Sequence, residues 1–152
     1  MRRNEKEMKD INEIKLIIEN EKVCRIAMND EKYPYIVPVL YTFIDNKIFI
    51  HSAYEGKKIE LISNNPNISF EIDVLEGIKG DSDPCSFSAQ YCSIIGTGQA
   101  RIVEDEKIKD SVLKSIVEKY SSLKIEKDKK LGYDIVNVIE ITIDNLTGKK
   151  SI

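Results

Sequence analysis

The chain has 152 residues, a net charge of −3 and a pI near 5.4, with 41% hydrophobic and 32% charged residues. That length suits one domain, residues 1–152, with a core of its own, and the acidic balance excludes a nucleic-acid partner held on a broad basic surface. No apolar run approaches the roughly 20 residues that span a bilayer, and Met1-Arg2-Arg3-Asn4-Glu5-Lys6 opens no apolar signal region, so no membrane contact and a cytoplasmic location are expected.

In chain order, Asp10-Ile11-Asn12-Glu13 has the form of a capping box, with Asp10 at the N-cap and Glu13 three residues on. Ile11, Ile14, Leu16, Ile17 and Ile18 then supply the apolar face of a helix that ends near Glu21. Val23-Cys24-Arg25-Ile26-Ala27-Met28 alternates as a strand, Asn29-Asp30-Glu31-Lys32 reads as a turn, and Tyr35 to Ile44 is a second, β-branched strand. Pro38 inside it cannot donate to a ladder, so an edge or a bulge is expected there. Asp45-Asn46 suits a tight hairpin turn into a strand from Lys47 to Ser52.

A helix from about Gly56 to Asn64 follows, stopped by Asn64-Asn65-Pro66-Asn67. Ile68 to Asp73 alternates as a strand. Gly77 to Ser88, rich in Gly, Ser, Asp and Pro, is expected to be an exposed loop. Gln90 to Val103 is a long strand whose Gly96 and Gly98 mark a bend or the close approach of a ligand. Glu106 to Tyr120 is a helix. Lys124 to Lys130 is a charge run, and Asp134 to Asp144 is the final strand. Short hairpin links dominate the first half, and strands outnumber crossover units. This predicts a mainly β, α+β fold: an antiparallel barrel with peripheral helices, not a doubly wound sheet.

Chemistry concentrates in Ile50-His51-Ser52-Ala53-Tyr54-Glu55-Gly56-Lys57-Lys58, where a strand becomes a helix and the one histidine of the chain stands. Free N–H groups and the helix dipole at such a start attract anions. Ser52 can donate a hydrogen bond, and Lys57 and Lys58 carry full charge, so the stretch reads as a phosphate seat. Against it stands the plain alternative that lysines on a first helical turn are simply solvated. The cysteines, Cys24, Cys85 and Cys92, are odd in number and form no C-x-x-C pair, which favours reduced thiols. Together with His51 their spacing matches no zinc pattern, so no metal site is expected.

Four stretches, in order, carry a resemblance. They are Val23-Cys24-Arg25-Ile26-Ala27, Tyr33-Pro34-Tyr35-Ile36-Val37-Pro38-Val39, His51-Ser52-Ala53 followed by Gly56-Lys57-Lys58, and Tyr91-Cys92-Ser93-Ile94-Ile95-Gly96-Thr97-Gly98. With them the chain resembles the FMN-binding split β-barrel proteins related to pyridoxamine 5′-phosphate oxidase, nearest the nitroimidazole-resistance subgroup. The tail Leu146-Thr147-Gly148-Lys149-Lys150 is similar to the usual ending of that family. The resemblance implies a homodimer with FMN in grooves between the subunits. Arg25 and Ile26 would lie beside the flavin, Pro38 and Val39 would offer backbone groups to its ring, and Lys58, Lys57 and Ser52 would hold its phosphate. Tyr91 and Ser93 would approach from the partner subunit. Cys92 is a departure, because these relatives often carry Arg or another polar residue there. The chain also lacks the basic C-terminal ending that true pyridoxamine 5′-phosphate oxidases use on their substrate, which argues against that activity.

His51 has two readings under this resemblance. It is a catalytic proton donor to the acceptor, or it only positions the cofactor phosphate or meets a backbone carbonyl. The implied function is an FMN-dependent oxidoreductase acting on small nitro- or quinone-type acceptors with NAD(P)H or another donor. The alternative is a non-catalytic module that holds flavin or haem. The chain shows no dinucleotide fingerprint, and relatives without one still reduce substrates, so its absence decides little.

Overall fold

The computed structural model describes residues 4–80, 86–125 and 136–151. After a short 3-10 turn (Asn4–Lys6) the elements are β1 Glu7–Met8, α1 Ile11–Asn20, β2 Cys24–Met28, β3 Tyr35–Val39, β4 Tyr41–Ile44, β5 Lys47–Ser52, α2 Lys57–Asn64, β6 Asn67–Lys79, β7 Ser88–Ile102, α3 Glu106–Tyr120 and β8 Asn137–Ser151. One eight-stranded sheet runs in the order β3-β2-β6-β7-β8-β5-β4, with β1 added to β8. Every pairing is antiparallel. The two end strands, β3 and β4, are consecutive in the chain and meet at Leu40, so the sheet curls round until its ends are joined by the chain itself. The fold is a split barrel, mainly antiparallel sheet with three helices.

Local chemistry explains the joints. Asp45 and Asn46 both adopt positive φ (50° and 61°), the conformation that a two-residue hairpin turn needs, and they link β4 to β5. Pro38 lies on β3, an end strand of the sheet, where a missing N–H costs no ladder bond. The expected single strand from Tyr35 to Ile44 is in fact two, broken at Leu40, where the chain leaves β2 and turns to pair with β5. Asp10 caps α1, accepting from the N–H of Asn12 at 2.9 Å. Glu13 does not complete the capping box; it accepts from Lys150 Nζ at 2.6 Å instead.

Alternation sorts side chains between two layers. Inside the barrel, Ile26, Ile48, Ile50, Phe70, Ile72, Ile94, Ile139 and Ile141 form the main core, and Ile14, Ile18 and Ile62 of α1 and α2 pack onto it. Outside, α3 covers Phe49, Val103 and Val138 with Val112 and Ile116. Cys24 is fully buried in the main core, and burial pushes its thiol up to about 12, which keeps it protonated.

Three expectations about extent are corrected. β6 runs to Lys79 and β7 begins at Ser88, so most of the ends of the expected Gly77–Ser88 loop are a paired ribbon. Its ladder passes a bulge between Leu75 and Gly77, and the cross-strand bonds override the turn-like composition. Residues 81–85 lie outside the described residues, and so do Asp134 and most of the charge run. β8 continues past Asp144 to Ser151, because its backbone finds β7 on one side and β1 on the other. Gly96 and Gly98 mark close approach within the protein itself. A Cβ on Gly96 would overlap the Phe70 ring, and one on Gly98 would overlap the carbonyl oxygen of Thr142 beside a bulge at Thr97/Gly98.

Candidate functional site

The three helices begin differently. Asp10 caps α1, and Asp105 caps α3 by accepting from the N–H groups of Lys107 and Ile108. α2 starts at Gly56, whose φ of 128° is open to glycine, and no side chain caps it. The first intrahelical bond runs from Glu60 N–H to the Gly56 carbonyl, so the N–H groups of the opening turn remain available to a ligand. Lys57 and Lys58 stand on that turn.

The two lysines differ in their surroundings. Lys57 forms an ion pair with Asp30, from the turn after β2, and its ammonium lies 5.2 Å from the centre of the Tyr35 ring. Lys58 is half-buried and has no hydrogen-bond or ion-pair partner among the described residues. Burial lowers its pKa from the ordinary lysine value. A partly desolvated cation beside uncapped N–H groups is a site that a phosphate completes: it supplies the missing counter-charge and the missing acceptors.

The other expected residues group as follows. Arg25 sits on β2 between Pro38 of β3 and Glu71 of β6. Its guanidinium contacts Glu71 at 3.1 Å and Asp73 at 2.5 Å, and these bonds, Asp73 first, raise its pKa. Asp73 pairs in turn with Ser93 on β7, so Pro38, Arg25, Asp73 and Ser93 lie in neighbouring rows across the outer face. Tyr91 lies two residues further along β7, opposite Leu75, with the Lys6 ammonium 5.9 Å from its ring centre. The side chain of Ile26 is fully buried in the core, so only its backbone is open to a ligand. Pro38 is exposed and Val39 half-buried on β3.

His51 and Ser52 close β5, opposite Val138 and Asn137. Their side chains point to opposite faces. Ser52 follows Ile48 and Ile50 toward the interior, whereas His51 follows Phe49 outward and is exposed. The Asn137 amide donates to the Tyr54 carbonyl at 3.2 Å and steadies the loop that leads to Gly56. Lys57 pairs with Asp30 and lies near Tyr35, so the start of α2 sits beside the β2–β3 turn and the first residue of β3. Lys57 meets β3 at Tyr35, three residues or about 10 Å along the strand from Pro38. A groove of about 410 Å³ opens next to this corner, lined by Ala27, Asn29, Pro34, Ser69 and Thr97 among others.

Asp30, Glu71 and Asp73 are the site residues that sequence reasoning missed. Asp30 was legible only as a turn residue, and alternation put Glu71 and Asp73 on a strand without saying which strand lay alongside. Ile36, Ile95 and Leu75 stay 60%, 55% and 63% exposed on the outer side of β3, β7 and β6, a large apolar area for a single chain. No helix among the described residues is long and apolar enough to cross a membrane.

Comparison with known proteins agrees with this architecture. No curated protein matches the chain in sequence. Among solved structures, a candidate 5-nitroimidazole antibiotic resistance protein from Bacteroides thetaiotaomicron is similar at 27% identity and a TM-score of 0.80, over 94% of this chain and 85% of that one. The flavocytochrome Anf3 from Azotobacter vinelandii shares the fold at 16% identity and a TM-score of 0.83, over 100% and 72% of the two chains. An FAD and heme binding protein from Mycobacterium smegmatis does so at 14% identity and 0.79, over 96% and 73%. The family model described as pyridoxamine 5′-phosphate oxidase matches residues 10–150, nearly the whole chain. The chain belongs to the pyridoxamine 5′-phosphate oxidase family.

Proposed function

We propose that this protein is a homodimeric FMN-binding oxidoreductase that reduces small nitro- or quinone-type acceptors with NAD(P)H or another electron donor. The observation that carries the reading is the uncapped first turn of α2 with the unpaired, half-buried Lys58 on it. Family membership supports a flavin phosphate as that anion. The likeness to a candidate nitroimidazole-resistance protein supports the acceptor class.

When bound, the isoalloxazine ring supplies the redox chemistry, and no protein nucleophile is required. The residues of this chain bind and orient. Lys58 and the free N–H groups of α2 hold the phosphate, with Ser52 near the start of that turn. Pro38 and Val39 offer backbone groups along the free edge of β3. Arg25, fixed by Glu71 and Asp73, borders the ring. The outer face with Ile36, Ile95 and Leu75 is the surface that a second copy covers, and that copy brings Tyr91 and Ser93 toward the cofactor. We assign His51 to positioning, because it lies at the end of the strand that leads to the phosphate seat.

One stopped-flow experiment tests enzyme and histidine together. FMN-saturated wild type and His51→Ala are mixed anaerobically with NADH or NADPH, then with a nitroaromatic acceptor. Bleaching of the flavin band and its return in both proteins at similar rates is the expected result. A loss of roughly a hundredfold confined to reoxidation of the variant would instead make His51 the catalytic acid. A protein that binds no flavin, or shows a haem Soret band, favours the non-catalytic module.

A further inference from the structure

Lys57 and Lys58 open the same helical turn in opposite electrostatic states. Lys58 has no counter-charge among the described residues. Lys57 already has one, the Asp30 carboxylate, and its ammonium also lies over the Tyr35 ring. Asp30 belongs to the turn between β2 and β3, and its side chain is only 25% exposed. The ion pair therefore ties the start of α2 to the β2–β3 turn. It also puts a fixed negative charge beside N–H groups that are free to receive an anion. Two lysines face Asp30 and, on the same first turn, Glu60, so the apo seat is close to charge-neutral, whereas a phosphate monoester carries about −1.5 to −2 near pH 7.

Resting on the flavin-phosphate reading above, we infer that Asp30 competes with the incoming phosphate for Lys57. Binding exchanges one ion pair, Lys57 with Asp30, for another, Lys57 with phosphate. Asp30 thereby keeps the seat nearly charge-balanced while it is empty and keeps the flavin exchangeable. A purely structural Asp30 does the opposite. If it only anchored α2 to the β2–β3 turn, removing its charge would loosen the seat and weaken binding. The sign of the effect separates the two roles.

The test titrates FMN into the apo forms of wild type, Asp30→Asn and the double variant Asp30→Asn/Lys57→Ala, followed by quenching of flavin fluorescence. Competition expects Asp30→Asn to bind FMN about 5-fold tighter. It expects the gain to disappear in the double variant, because the released Lys57 is its source. Unchanged or weaker binding by Asp30→Asn, or a gain that survives without Lys57, overturns the inference. Asp30→Ser runs in parallel, and circular dichroism confirms folding of each protein, so a folding defect is not read as lost affinity. Inorganic phosphate is titrated into the same proteins as an independent arm. If none of them binds FMN, the flavin reading fails. The Asp30 inference then stands if Asp30→Asn binds phosphate more tightly than wild type, and falls if it does not.

Discussion

Replacing Lys58 by alanine is expected to cost FMN affinity about ten- to a hundredfold, the loss of one charge-assisted phosphate contact of roughly 1.5–3 kcal/mol. The reason lies in the surroundings of Lys58 in the apoprotein. Lys58 is partly removed from water without a partner among the described residues, and an anion supplies the compensating charge. The apo variant should accordingly be no less stable than the wild type. The pH dependence follows with a definite sign. Because burial lowers the pKa of Lys58 in the folded protein, the unfolded chain holds that proton more tightly, and apo stability rises with pH between the folded and unfolded values. FMN affinity moves the other way, falling as pH rises through the lowered pKa, and that limb should be missing from Lys58→Ala. Apoprotein titrations across pH check both statements, and unchanged affinity in the variant removes Lys58 from the site.

The second large effect is expected at Gly56. With φ 128° and ψ 166° it occupies backbone space that is essentially reserved for glycine. An alanine Cβ there meets nothing within 4 Å, so the cost is conformational and not steric crowding by neighbours. Gly56→Ala should lose about 1–3 kcal/mol of stability in urea unfolding. It should also bind FMN more weakly, because relaxing the strain turns the first N–H groups of α2 away from their common point. Wild-type stability together with wild-type affinity in this variant would mean that the strained start of α2 does not shape the seat.

What could be read from the sequence was what is set locally. The Asp45-Asn46 turn, Pro38 on an end strand and the aspartate cap of α1 depend on a few adjacent residues, and composition declared them. Strand extent was not local. Gly77 to Lys79 look like loop, and Leu146 to Ser151 look like a polar tail, yet both are strands because a neighbouring strand satisfies their backbone groups. The short β1 exists for the same reason. The break at Leu40 reflects barrel closure, which no run of β-branched residues announces.

The site divides along the same line. Lys57 and Lys58 after a glycine were visible as cations on a first helical turn. That only one of them is free was not, because the difference depends on the β2–β3 turn meeting α2. The pairing of Arg25 with Glu71 and Asp73 likewise requires the register of β2 against β6, whereas alternation alone fixes only the face. Alternation already sends the neighbours His51 and Ser52 to opposite faces, but that the Ser52 side is the barrel interior appears only in the fold.

Whether a flavin is held at a site shared by two copies of the chain is decided by sedimentation velocity of the FMN-reconstituted protein at micromolar concentration, recorded both in the protein band and in the flavin band. The expected result is one boundary at twice the 17.4 kDa chain mass, carrying one flavin per chain, with the flavin signal much reduced in Lys58→Ala. A monomer that still carries flavin would contradict the shared site, and a dimer that sediments without flavin would contradict the cofactor.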